Sequence, residues 1–257
     1  MGDRKSNTGD EAAEPTEKDR MLVDMTGGGS SLTLQGLKSE LDELKASLSK
    51  KKECNPAVVG LAAFGLTTLL LQMHNLGWLK DAETVVWTGL VYGGLAQFIA
   101  GYLEFQTGNT FGFCAFTGYG AFWMGFAFIN IGHSAKLFHV EEEQFVEALG
   151  YFMLMWTLFT AVLTVAAVAT SIMLLVTFVL LLIGFVCLDV ALLGSVHSST
   201  HKNATYAAGG VLFACALSAW YCWIHILMQE AFGFNVVPVG PSVFSLIKRK
   251  RNPVAKQ

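Results

Sequence analysis

Ionisable side chains are scarce in the long apolar stretches of this sequence, so the few found there bound its chemistry. Asp189 and His225 lie inside such stretches, and His74, Glu104 and Glu230 lie at their ends. A charged group in hydrocarbon is costly; where one persists it pairs, relays protons or lines a polar path. Covalent catalysis asks for more, namely a nucleophile with a base in reach or a set of converging ligands. The chain contains no P-loop, no GxSxG, no HExxH and no Cys/His ligand spacing. Its five cysteines are scattered, four of them within apolar stretches, and read as small packing residues. The expectation is a protein that is not an enzyme, with no metal and no cofactor.

The two buried candidates have ordinary explanations as well. Asp189 falls about five residues from one end of its stretch, about 7 Å deep at the helical rise, which fits an interfacial carboxylate that reaches water. His225 sits amid Trp220, Tyr221 and Trp223, where an interfacial aromatic belt accounts for it as well as a proton relay does.

The elements that would hold such residues follow from composition. The chain has 257 residues, 53% hydrophobic and only 14% charged, against about 25% charged in a soluble domain. Apolar stretches near 20 residues match a hydrocarbon core of about 30 Å. Six are present, over 57–76, 84–103, 111–131, 147–168, 171–194 and 205–229. Residues 147–194 are too long for one span, and Ala169-Thr170-Ser171 marks a tight hairpin. The net charge of −3 hides an asymmetry. Lys45 and Lys50-Lys51-Lys52 precede the first span and Lys248-Arg249-Lys250-Arg251 follow the last, whereas the loops between odd and even spans hold only Lys80, Lys136 and Lys202. Basic flanks stay inside, so both termini are expected in the cytosol. Asn203-Ala204-Thr205 is a sequon abutting the sixth span.

Four regions result: a tail over 1–31 of disordered composition, a juxtamembrane segment over 32–52, a transport domain over 53–232 and a basic tail over 233–257. The N-terminus lacks a secretory core, and Gly2 with Ser6 fits the myristoylation pattern. Leu34, Leu37, Leu41, Leu44 and Leu48 keep heptad spacing, which fits either a short coiled coil or an amphipathic helix lying on the membrane.

The stretch Asn55-Pro56-Ala57-x-x-Gly60-Leu61-x-x-Phe64-Gly65-x-Thr67-Thr68, followed by His74-Asn75-x-Gly77, resembles the signature of the acetate uptake transporter family. The likeness continues through Tyr92-Gly93-Gly94-x-Ala96-Gln97, Glu104, Gly108-Asn109-Thr110-Phe111-Gly112 and Ala115-Phe116-Thr117-x-Tyr119-Gly120. Val58 stands where the family usually has a second proline. The resemblance implies an all-α membrane protein of six transmembrane helices, assembled as a hexameric ring. It implies a plasma-membrane transporter or channel for acetate and related short carboxylates, succinate among them, with proton coupling proposed. It also implies a narrow constriction at Phe64, Tyr119, Leu181 and Ala219.

Helical rise places all four near the midplane of a 30 Å core, with Phe64 and Tyr119 both about 12 Å from the cytosolic side. Asn55 reads as an N-cap with Pro56 at N1, and Asn109 repeats the role before Thr110. With Gly60 these form an inner-mouth motif whose helix ends favour anions. Thr67, Thr68, Thr117, Gln97 and Glu104 are the remaining polar candidates for the path, and Tyr119 is the one phenol that can donate at midplane depth. Two competing readings remain: an ammonium or ammonia transporter, and a sensor or scaffold acting through the N-terminal tail.

Overall fold

A computed structural model describes residues 34–49, 54–137, 139–194 and 199–251. The chain divides into two units at Cys54–Asn55. In the first, helix α1 (Leu34–Ser49) carries Leu37, Leu41 and Leu44 about half exposed. The tail over 1–31 and the Gly2 pattern lie outside the described residues.

The second unit holds six helices long and apolar enough to cross a membrane: α2 (Ala57–Asn75), α3 (Glu83–Gln106), α4 (Thr110–Ser134), α5 (Glu142–Ala167), α6 (Ile172–Leu193) and α7 (Ser199–Phe232). Outward faces are apolar, as with Val162 at 70% and Val165 at 75% exposure. That pattern is unfavourable in water and suited to lipid. The helices extend past the stretches expected from hydropathy, chiefly at α5 and α7, because hydropathy marks the hydrocarbon core and helices continue into the headgroup layer. The sequon Asn203 is therefore helical.

Neighbouring helices pack in the cyclic order α3, α2, α7, α6, α5, α4 and back to α3. The α5–α6 hairpin turns at Thr170, and Ser171 caps α6 through its side chain, accepting from Leu174 N. At the start of α3, Asp81 accepts from Glu83 N at 3.0 Å and from the Thr84 hydroxyl at 3.1 Å. The Glu83 backbone N–H in particular holds the Asp81 carboxyl below the usual range.

α3 is not a uniform α-helix. Gly89–Ala96 winds as a π-helix between two α-helical ends, a departure commonly found at functional sites. Its glycines admit a large neighbour: a Cβ on Gly89 or Gly93 would stand 2.8 Å from the Trp123 ring. Lower down, a Cβ on Gly101 would stand 2.5 Å from Thr117 N, and one on Gly120 2.7 Å from Phe98 N. α3 and α4 are thus in near-backbone contact, the arrangement by which small residues hold membrane helices together.

After α7 the positive φ of Gly233 reverses the chain. Residues 233–242 fold back onto the α5–α6 turn: the Tyr221 hydroxyl donates to Pro238 O at 2.8 Å, and Met173 N donates to Val239 O at 3.0 Å. His225 Nδ1 donates to Val237 O, so this imidazole fixes the C-terminal segment and is no simple belt residue. Helix α8 (Val243–Arg251) follows.

Gly101→Ala should wedge α3 from α4 at a cost of about 1–3 kcal/mol. At roughly 2–4 °C per kcal/mol for a chain of this size, the apparent unfolding midpoint in detergent, followed by tryptophan fluorescence, is expected to fall by several degrees.

Candidate substrate pathway

Two cavities enter the helix ring from opposite ends. The proximal one, about 210 Å³, opens at the end where α2 and α4 begin and is lined by Asn55, Gln97, Asn109 and Thr177 among apolar residues. The distal one, about 260 Å³, carries Thr68, Gln72, His74, Asn75, Asn130, His201 and Thr205. Phe64, Tyr119 and Leu181 line both. These three side chains therefore form the septum between the cavities, all at most 7% exposed. Among the described residues, no Asp, Glu, Lys or Arg lines either cavity.

The septum is built on aromatic contacts. The Phe64 and Tyr119 centroids are 5.7 Å apart, and Phe159 and Phe178 flank Tyr119 at 5.7 and 6.3 Å. The Tyr119 hydroxyl lies 3.0 Å from Thr160 Oγ1 of α5. The sequence reading did not name Thr160; the signal was available in Thr157, Thr160 and Thr164, a helical stripe of hydroxyls in an otherwise apolar span. Ala219, fully buried, belongs to the core cluster around the septum but lines neither cavity.

Asn109 caps α4 as expected, whereas the N-cap position of α2 is Pro56, with Asn55 one residue before it; both asparagines face the proximal cavity. Asn55 Oδ1 accepts from Ala57 N at 3.0 Å, and Asn109 Oδ1 accepts from Gly112 N at 3.0 Å. The Asn109 amide then donates to Glu104 Oε2 at 2.7 Å, which fixes its orientation. Glu104 itself is 2% exposed, has no partner for Oε1 and lies behind Asn109 rather than along the cavity. Pro56, Gly60 and Thr110 also stand off the cavities; the Gly60 site is filled from the other side by the Phe116 ring.

The threonines part company. Thr67 and Thr117 donate to carbonyls one turn back, Ala63 O at 2.7 Å and Phe113 O at 2.6 Å, and line neither cavity. Without water, a membrane hydroxyl finds its nearest acceptor in its own helix. Thr68 does line the distal cavity. Gln97 lines the proximal cavity while fully buried, and neither of its amide atoms has a partner. It begins the second α-helical part of α3, directly after the π-segment.

Asp189 departs from expectation. It is buried, at 9% exposure, and Oδ1 has no partner. Its position on α6 turns it toward Thr157 of α5, away from the surface and from both cavities.

The model of the family described as GPR1/FUN34/yaaH matches residues 38–242. The chain is 33% identical over 195 residues to the "Succinate-acetate/proton symporter SatP" of Escherichia coli (strain K12), covering 76% of this chain and 100% of that protein. It is 30% identical over 217 residues to "Acetate permease A" of Emericella nidulans, covering 81% and 73%. It is 37% identical over 175 residues to "Ammonia transport outward protein 2" of Saccharomyces cerevisiae, covering 66% and 60%. Among solved structures, "Structure of the bacterial acetate channel SatP" superposes with a TM-score of 0.67 at 33% identity, covering 74% of this chain and 100% of that one.

Asn109→Ala removes a cap and leaves buried Glu104 short of a donor, an expected loss of about 1–3 kcal/mol. Adding Glu104→Gln should return part of that stability in thermal unfolding of the double variant, because the pair is coupled; strict additivity would show that the two residues act separately.

Proposed function

This chain belongs to the GPR1/FUN34/yaaH family, and from that premise we propose that it is a membrane transporter or channel for acetate and related short carboxylates. The observation that carries this reading is the lining: amides and hydroxyls on both sides of the septum, imidazoles on the distal side, and no carboxylate among the described lining residues. A cation path would place acidic side chains at these depths, so the lining does not favour ammonium. Gln97, with its amide unpaired, supplies a donor to a carboxylate in the proximal cavity. Phe64, Tyr119 and Leu181 exclude water and inorganic ions, and pass a solute whose methyl end tolerates the apolar gap.

Both termini lie in the cytosol in this reading, on the strength of the basic flanks, so the proximal cavity is the inner one. The protomers assemble as a hexamer in the plasma membrane, each with its own path. The tail over 1–31 and the segment over 32–52 are accessory to a transport domain over 53–232, and the sensor reading fails if flux survives deletion of residues 1–50. Labelled acetate flux into proteoliposomes, with and without a pH gradient, is the direct test. Saturable flux absent from protein-free vesicles supports the reading, and stimulation by an inward proton gradient marks symport.

At the septum, Tyr119 can accept from Thr160 while donating to a passing carboxylate. Tyr119→Phe keeps the ring and deletes that donor; a hydrogen bond to a charged group is worth about 1.5–3 kcal/mol. Acetate flux is expected to fall about tenfold to hundredfold with the protein still monodisperse. Thr160→Val should cost only a few-fold and almost nothing on top of Tyr119→Phe. Wild-type flux in Tyr119→Phe would reduce Tyr119 to an aromatic spacer.

Leu181→Ala joins the two cavities by removing one wall of the septum. Lactate flux should rise relative to acetate, with acetate flux retained. Ala219→Gly, behind the septum, is expected to move that ratio less.

A further inference from the structure

Helix α8 lies beyond residues 38–242, the part that matches the family model. Its sequence, Val-Phe-Ser-Leu-Ile-Lys-Arg-Lys-Arg, places apolar residues in the first turns and four consecutive cations at the end. Phe244, Leu246 and Ile247 are 50%, 37% and 48% exposed, and Lys248, Arg249 and Lys250 are exposed with them. In water such a helix would present three large apolar side chains to no partner.

Its position is fixed. Ser242 caps the helix by accepting from Ser245 N at 3.1 Å. Phe244 N donates to Val168 O at 3.2 Å, which ties the first turn to the α5–α6 hairpin. Gly240 packs against Ile172 at the start of α6. The hairpin is where two membrane-spanning helices end, so α8 begins at the headgroup layer and does not hang free in solvent. The Lys248 ammonium stands 4.7 Å from the Phe244 ring centroid, keeping the cationic end next to the apolar one.

We propose that α8 is a membrane-surface clamp: it inserts Phe244, Leu246 and Ile247 among acyl chains and holds anionic phospholipid headgroups through Lys248, Arg249 and Lys250. Amphipathic helices of this composition lie in the interface plane, and juxtamembrane basic clusters select the anionic leaflet. The charge is complementary to that leaflet and wrong for a basic partner. The contrast with α1 is instructive, since α1 exposes leucines among mixed charges of both signs and carries no such selectivity.

The test uses the full chain in nanodiscs of phosphatidylcholine alone or with one-fifth phosphatidylserine, and reads trypsin cleavage at Lys248–Lys250 by mass spectrometry. Cleavage should be at least tenfold slower in the phosphatidylserine discs, and about 0.5 M salt should remove most of that difference by screening. Phe244→Ser with Ile247→Ser should abolish the protection, and Lys248→Gln with Arg249→Gln should weaken the preference for phosphatidylserine at Lys250 by roughly fivefold per charge. Size-exclusion profiles matching wild type exclude misfolding as the cause. Equal cleavage in the two lipid compositions would overturn the proposal, as would protection that appears only with added cytosolic protein.

Discussion

The Phe64–Tyr119 ring contact is the place where the two cavities meet, and the rest of the bundle is arranged to hold it. An ion in hydrocarbon loses its hydration without compensation, so a membrane protein that passes anions must shorten the dry distance. Here cavities reach in from both ends until one layer of side chains remains. That layer works only if α2, α4 and α6 deliver Phe64, Tyr119 and Leu181 to the same depth. α2 and α4 start at the same end, each with an asparagine accepting from a first-turn N–H, and each presents its aromatic residue two turns or so later. These asparagines thus set the register of the septum as well as satisfying exposed N–H groups.

Holding α4 in place falls to α3. Trp123 is 2% exposed and presses on the glycines of the π-segment. A standard helix with side chains there would push α4 outward and open the septum. The π-segment also changes the angular position of everything after it relative to an uninterrupted α-helix. Gln97 is the first residue after that change, and it reaches the proximal cavity with its amide unpaired. One local irregularity therefore serves both packing and the polar lining.

Much of this was legible in the sequence. The six spans, the hairpin at Ala169–Ser171 and the Asn109 cap follow from periodicity, break residues and cap chemistry, and they match the helices closely, while Asn55 sits one residue before the N-cap position expected for it. Depth counting brought Phe64, Tyr119 and Leu181 together because helical rise is fixed. What the sequence did not disclose depends on rotation about helix axes, which counting along a chain does not supply. Thr67 and Thr68 are adjacent, yet one bonds its own helix and the other faces a cavity. Ala219 has the right depth and the wrong face. Asp189 looked interfacial by depth, but its rotation buries it toward α5. The π-segment left only a cluster of glycines as its trace, and the same glycines would serve ordinary close packing.

The uncharged lining has its own logic. A fixed Arg or Lys at the septum would attract a carboxylate strongly, and the low dielectric there would deepen that attraction. Deep binding slows release, and conduction requires each site to be weak enough to leave. Neutral donors avoid the trap: Gln97 in the proximal cavity, Tyr119 backed by Thr160 at the septum, and Thr68 with Gln72 beyond it. Gln72 spends its own amide on Thr68 O at 3.2 Å and accepts from Asn75 at 2.9 Å, so the distal side is tuned to weaker contact than the unpaired Gln97 offers. In the proposed reading, a carboxylate moving along this line exchanges one modest set of hydrogen bonds for the next, and the barrier concentrates at the septum, where the Tyr119 hydroxyl is already oriented by Thr160.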